Sequence, residues 1–541
     1  MKTYLILSIV VLFLFDSCTT KTTDKAKPIQ KKVILLPPKS FNEALSDNQL
    51  TALGLNEMDR NFIHNLYSSN NSSPFWFINN SITEKGKQLR NIFANMPLLG
   101  IPNERFEHLK LKDSNIYQLE ILISYTLATL KNDLRFGFID KENKAYKNLV
   151  PCSVADFKDL IKLGSDTCAV STFLIRLGSD RIDYQQLAKG LYNYVSTTVL
   201  DTISCNVVLP AKDTGNWEAI AAKALDRKGI APDTSITARL KKYQRRENIN
   251  PNGILGKQTK HSFATTGYDK FLRAALSLER LRWKPKDPKL HVHVNIPEFT
   301  LRYYSDDTLF SVNKIIVGKP DTPTPELTSS IHQIILLPYW GVPQNIANEE
   351  ILPAVKANSN YLVKNHYRIF RGKKEVNSAG INWRKVGKNM PYEVRQDYGP
   401  FNSLGLIKFD FHNKYGVYIH DTPKRKLFNN EFRSYSHGCM RCEFPVELGK
   451  LILLRDENLM VADSVDSMYV REIQTYIKLK KRITIVVDYI SVTADETNKI
   501  IFHGDIYYRD DYWIGIMKKE KKKKVTAYNP VGAYIVIPFS L

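Results

Sequence analysis

The sequence predicts a multidomain α+β protein: a helical N-terminal scaffold, a small three-helix module, and a mainly β domain with an inserted segment. Three observations predict it. At 541 residues the chain exceeds what one ordinary core accommodates, since domains commonly hold roughly 150 residues. Residues 117–134 (YQLEILISYTLATLKNDL) carry apolar side chains at helical spacing, and Gly137 follows as a stop. From Lys289 onward the pattern changes to short, alternating, β-branched runs.

Taken in order, the chain opens with Met1-Lys2 and an apolar run from Tyr4 to Phe15. That run is too short for a bilayer, which needs about 20 residues, but it suits the core of a signal peptide. It ends in Asp16-Ser17-Cys18, which resembles a bacterial lipoprotein processing site. The resemblance implies that residues 1–17 are removed and that Cys18 becomes a lipidated first residue. The mature protein would then be held to a membrane of the cell envelope, in a periplasm-like compartment. Residues 18–39, rich in Lys, Thr and Pro, read as a tether, and 40–212 as the helical scaffold, with Phe75-Trp76-Phe77 as core.

In 213–266, Leu240, Tyr243 and Gln244 share one helix face, and Asn252-Gly253 and Gly256 mark tight turns. Residues 267–287 read as a connecting helix. The mainly β domain spans 288–510, with strands at 289–295, 300–304, 311–317, 331–337, 405–411 and 415–420, and with an insertion at 346–392. Residues 480–510 read as a closing hairpin, and 511–541 as a Lys-rich extension that ends in a candidate strand at 533–539.

A formal charge of +22 favours polyanionic surroundings. With no zinc-finger spacing, phosphate loop or single-strand-binding motif in the chain, nucleic acid is not an expected partner. Setting Cys18 aside leaves Cys152, Cys168, Cys205, Cys439 and Cys442, an odd number for an exported chain, so at least one thiol should be free.

The chemistry concentrates in GVYIHDTPKRKLFNNEFRSYSHGCMRC, residues 416–442. Strand alternation puts Tyr418 and His420 on one face. After residues 421–435 comes Ser436-His437-Gly438-Cys439, ahead of a helix opened by Pro445. A nucleophilic thiol needs a neighbouring base to ionise near neutral pH, which His420 can supply, and the N–H groups of Gly438 and Cys439 can meet an oxyanion.

A His followed about 15 residues later by Ser-His-Gly-Cys resembles the catalytic signature of the L,D-transpeptidases. The segment WGVPQNIANEEI from Trp340, the stretch Arg395 to Gly405 with Asn402, and the domain order resemble the large periplasmic members of that family. LKKYQRRENINPNGILGKQT likewise resembles a small peptidoglycan-binding domain. The resemblance implies that the protein cross-links peptidoglycan. Cys439 would attack a tetrapeptide stem and release D-alanine, and the acyl group would pass to another stem as a 3→3 link, or to water in an L,D-carboxypeptidase reaction.

In that scheme His420 is the base, oriented by the Asp421 carbonyl. Tyr418 with the amides of Gly438 and Cys439 forms the oxyanion hole, and His437 lines the site. Arg441 organises the loop or binds a substrate carboxylate, and Ser436, Trp340 and Asn402 are further expected substrate contacts. Carbapenem-type β-lactams are expected to acylate Cys439, and neither metal nor organic cofactor is required. Cys442 and Asp397-Tyr398 depart from the family pattern. Two rival readings remain: a zinc site from His420, His437, Cys439 and Cys442, which the two-residue spacing of His437 and Cys439 disfavours, and a non-catalytic wall-binding lipoprotein that keeps the fold as a scaffold.

Overall fold

Helical spacing in the N-terminal third becomes a packed bundle in the computed structural model, which describes residues 37–109, 115–163, 169–202, 217–306 and 308–518. The principal helices are α1 (Glu57–Ser68), α2 (Glu84–Phe93), α3 (Ile116–Phe136), α4 (Val154–Leu163), α5 (Val170–Arg176) and α6 (Ile182–Thr197). α3 starts where the predicted periodicity starts because Asn115 and Gln118 cap each other's backbone N–H groups. Its buried Leu and Ile residues each stabilise the bundle by roughly 1.5–3 kcal/mol. Phe75 is half-buried and Trp76 and Phe77 are buried against this core, as expected.

The three-helix module consists of α7 (Trp217–Arg227), α8 (Ile236–Arg246) and α9 (Lys257–Ala264). Tyr243 stacks on Phe263 with ring centres 4.5 Å apart. The buried Gln244 amide donates to Asn252, Thr259 and the Ile254 carbonyl and accepts from the Gly253 N–H, which pins the turn between helices.

The expected connecting helix is more than a connector. α10 (Gly267–Arg282) is buried along most of its length in the helical core. It carries Glu279 and Arg282 inside, paired at 3.2 Å, with Glu279 also accepting from the Ile139 N–H and the Trp283 indole. Such a pair tolerates burial only because its remaining hydrogen-bonding capacity is used.

The β domain opens with β1 (His291–Asn295), β2 (Thr300–Ser305), β3 (Thr308–Gly318) and β4 (Leu327–Leu336). The insertion follows, with its own strands β5 (Trp340–Gly341), β6 (Tyr367–Arg371), β7 (Lys374–Val376) and β8 (Glu393–Gln396) in the order β7-β6-β8-β5. It has a separate core around Leu352, Leu362, Ile369 and Trp383. The inserted unit is therefore partly β and extends on both sides of 346–392.

The main sheet resumes with β9 (Ile407–Phe411), β10 (Ile419–His420), β11 (Ser434–Ser436), β12 (Met440–Cys442) and β13 (Thr475–Asp488). Its order is β11-β3-β12-β10-β9-β4-β13-β1-β2, and a further β2–β3 pairing closes the ring into a barrel. α11 (Pro445–Arg455) and α12 (Leu459–Val470) follow β12, and both contribute to the barrel-domain core.

Two strand expectations are corrected. Residues 415–418 are not strand, because the Asn413 side chain ties the Tyr415 and Val417 N–H groups and the Val417 carbonyl into a loop. The hairpin expected over 480–510 is confined to the second half of that range, because residues up to Asp488 belong to one long strand, β13, paired with β4 and β1. The hairpin itself, β14 (Val492–Ala494) with β15 (Ile500–Phe502), follows and packs on the helical core. The closing helix α13 (Asp510–Met517) docks beside it through the Asp510 ion pairs with Arg273 and Arg280. The lipoprotein-like segment with Cys18, Cys168, Cys205 and the candidate strand at 533–539 lie outside the described residues.

Candidate active site

β10 and β12 run parallel and adjacent, with Ile419 opposite Met440 and His420 opposite Arg441. Alternation turns Ile419, Met440 and Cys442 into the barrel interior, where all three are buried. Tyr418, His420, Cys439 and Arg441 consequently share the outer face. The rings of Tyr418 and His420 lie 5.5 Å apart. Residues separated by a long loop in sequence thus become neighbours through one pairing.

The turn before Cys439 is built from its own side chains. Ser436 Oγ donates to the Cys439 carbonyl at 2.6 Å and accepts from the Gly438 N–H at 3.2 Å. Thr324 Oγ1 donates to the Gly438 carbonyl. Gly438 has φ +110°, which L side chains rarely adopt, so this geometry requires glycine. Two expectations are revised here. Ser436 is buried and its hydroxyl is committed to the turn, so it braces Cys439 rather than meeting a ligand. The Gly438 N–H is already bonded, whereas no bond of this turn uses the Cys439 N–H.

His420 is buried, and its Nδ1 lies 2.6 Å from the Asp421 carbonyl. A carbonyl only accepts, so Nδ1 carries the proton and Nε2 keeps its lone pair. Burial first, then the charge of Arg441 and, after the Asp421 bond that opposes them, that of Lys408, push the His420 pKa down to about 3. The imidazole is thus neutral at any physiological pH. Asp421 is held in place by its own bonds, accepting from the Leu406 N–H and pairing with Arg425 at 2.8 Å.

Cys439 is partly exposed and free, and burial pushes its thiol up against the opposing effect of Tyr418. Tyr418 reaches the sulfur with both its backbone N–H and its hydroxyl, and the Trp340 indole donates to the same hydroxyl. Trp340 therefore acts on Tyr418. Asn402 is fully buried, donates to the Gln396 and Asp397 carbonyls and accepts from the Leu404 N–H. It shapes the Asp397–Gly405 loop and has no surface left for substrate.

Arg441 has a half-buried guanidinium whose Nε is without a hydrogen-bond partner. His437 Nε2 lies 3.0 Å from Glu350 Oε1 on the insertion. The insertion therefore overhangs the site through Trp340 and Glu350. Cys442 faces away from Cys439, so the four residues of the zinc reading do not converge, and no metal-ligating cluster occurs among the described residues.

Sequence reasoning missed Glu350 and Lys408. Lys408 lies opposite His420 in the β9–β10 register, with Nζ 4.2 Å from the centre of the Tyr418 ring and 3.2 Å from Asp410. Its signal was the outward set Lys408-x-Asp410 on a strand whose other face is apolar. His412, on the loop after β9, stacks on His332. A cleft of about 640 Å³ lies elsewhere, between α6 and β1–β2. Its Arg181 and Arg302 are already paired with Asp183, Asp287 and Glu298.

Comparison with known proteins agrees with this geometry. Residues 289–461 match the model of the YkuD L,D-transpeptidase catalytic domain, and residues 61–191 match that of a scaffold domain. A Haemophilus influenzae protein, provisionally named an L,D-transpeptidase, is 36% identical over 182 residues, covering 34% of this chain and 37% of its own length. Solved L,D-transpeptidases from Mycobacterium smegmatis (13% identity, TM-score 0.17, covering 38% of this chain and 60% of that one) and Mycobacterium tuberculosis (11%, 0.19, 38% and 62%) are too distant to add to the argument. Residues 289–461, which hold Tyr418, His420 and Cys439, are thus similar to the L,D-transpeptidase catalytic domain of the YkuD family.

Proposed function

We propose that the chain is a peptidoglycan L,D-transpeptidase working through a Cys439 acyl-enzyme. The observation that carries this reading is the parallel β10–β12 register, which sets a neutral imidazole, a tyrosine hydroxyl and a thiol on one face. His420 Nε2 takes the thiol proton as Sγ attacks the carbonyl of the third stem residue. The Cys439 N–H and the Tyr418 hydroxyl receive the oxyanion, the hydroxyl moving over from the sulfur it bonds in the resting enzyme. Collapse breaks the bond to the terminal D-alanine, whose amine leaves with the proton from His420. An amine of a second stem then attacks the thioester and gives a 3→3 link, His420 again accepting and returning the proton. Water in place of the amine gives L,D-carboxypeptidase activity.

The remaining parts fit the same task. The unpaired Arg441 Nε–H suits a stem carboxylate. The insertion caps the site, the module of α7, α8 and α9 holds the polymer, and a lipid on Cys18 tethers the enzyme to an envelope membrane. The same thiol is the site of acylation by carbapenems. The test is incubation of purified enzyme with disaccharide-tetrapeptides and mass analysis of the products. Free D-alanine with 3→3 dimers or tripeptides is expected, and neither should form with Cys439→Ala. Intact substrate after incubation with folded wild-type enzyme refutes the proposal.

A further inference from the structure

The resting site already contains a charged relay that the proposed reaction does not assign. Lys408 is mostly buried, ion-paired to Asp410 at 3.2 Å, and carries its ammonium 4.2 Å from the centre of the Tyr418 ring. The hydroxyl of that ring bonds Cys439. A cation over an aromatic face draws density from the ring and makes a phenol a stronger hydrogen-bond donor. We propose that Lys408 is a positioning residue that presents a fixed positive charge, through the face of Tyr418, to the sulfur of Cys439 and later to the oxyanion. It does not exchange protons with substrate; the proton still passes from Sγ to His420.

The groups facing this point come from every surrounding element: Lys408 and Asp410 on β9, Tyr418 and His420 on β10, Arg441 on β12, His437 in the turn and Glu350 on the insertion. Lys408 and Arg441 both favour the thiolate and both disfavour a charged His420. Loss of Lys408 should therefore move both titrations upward in pH. A residue needed only for folding would lower the amplitude of the profile and leave its midpoint in place.

The inference rests on Cys439 being the nucleophile, yet its readout needs no transpeptidation. Alkylation of Cys439 by iodoacetamide is followed against pH by mass spectrometry of the Cys439 peptide in full-length protein. In Lys408→Met the midpoint should rise by about one unit, so the rate below it falls about tenfold. Lys408→Arg should stay near the wild-type midpoint. Asp410→Asn, a half-exposed change that removes the counter-charge, should lower it. An unmoved midpoint in Lys408→Met overturns the inference. If that variant fails to fold, an unmoved or raised midpoint in Asp410→Asn does the same. Midpoints that move as expected in a protein that carbapenems never acylate would uphold the role of Lys408 and reject the proposed function.

Discussion

Lowering the pH from 7 to 5 disables a base with an ordinary imidazole pKa of about 6.5, whose neutral fraction falls about 25-fold over that interval. His420 should behave otherwise. Burial, Arg441 and Lys408 hold its pKa at about 3, so about 99% of the imidazole is still neutral at pH 5. The assay is the rate at which a carbapenem acylates the enzyme, followed by loss of β-lactam absorbance between pH 4.5 and 7.5. The expected rate changes less than twofold across that range. His420→Ala should lose roughly 10² or more near pH 7 and recover in alkali, where the thiol ionises unaided. A wild-type rate that falls through a midpoint near 6.5 would refute the reasoning. The depressed pKa also has a stability cost. Between pH 6.5 and 3 only the unfolded chain takes up the proton at His420, so this residue's contribution to stability declines as the pH falls through that window.

Three other perturbations have definite outcomes. Gly438→Ala meets only ordinary van der Waals contacts, the nearest with Val417 at 3.5 Å, but a φ of +110°, so it should cost about 1–3 kcal/mol of backbone strain and displace Sγ, cutting acylation at least tenfold while the melting temperature shifts only a few degrees. Cys442 is buried on the opposite face from Cys439, and burial pushes its thiol up to about 12. Titration against a dithiol redox buffer should therefore give the same sensitivity in wild type and Cys442→Ser; sensitivity lost only in the variant would establish a Cys439–Cys442 switch. Cys18→Ala should release the protein from membranes on fractionation, because a single acyl chain anchors only marginally and none anchors not at all; continued sedimentation with membranes would reject the lipid anchor.

Most of the chemistry was legible because it is local. The period-2 alternation that put Tyr418 with His420 depends only on strand geometry, and the structure supplied the parallel pairing that joins them to Cys439 and Arg441. What stayed hidden depends on contacts distant in sequence. The apolar run at 483–490 reads alike as half of a hairpin or as a central strand, and only its pairing with β4 and β1 decides. α10 carries charged residues at buried positions, so its place in the core is intelligible only with partners such as Ile139 and Asp510. Ser436 and Asn402 have the side chains of ligand contacts, but backbone groups nearby had already claimed them. Glu350 reaches the site across a separately folded insertion, which no spacing rule connects to His437.

The central claim is that the Cys439 sulfur becomes acylated. Full-length protein is incubated with a carbapenem, digested and mapped by mass spectrometry, alongside Cys439→Ser and Cys442→Ser. One adduct, with the mass of the intact carbapenem, should appear on the peptide containing Cys439 in wild type and in Cys442→Ser, and be absent from Cys439→Ser. Folded wild-type protein with no adduct, or an adduct that persists in Cys439→Ser, would contradict it.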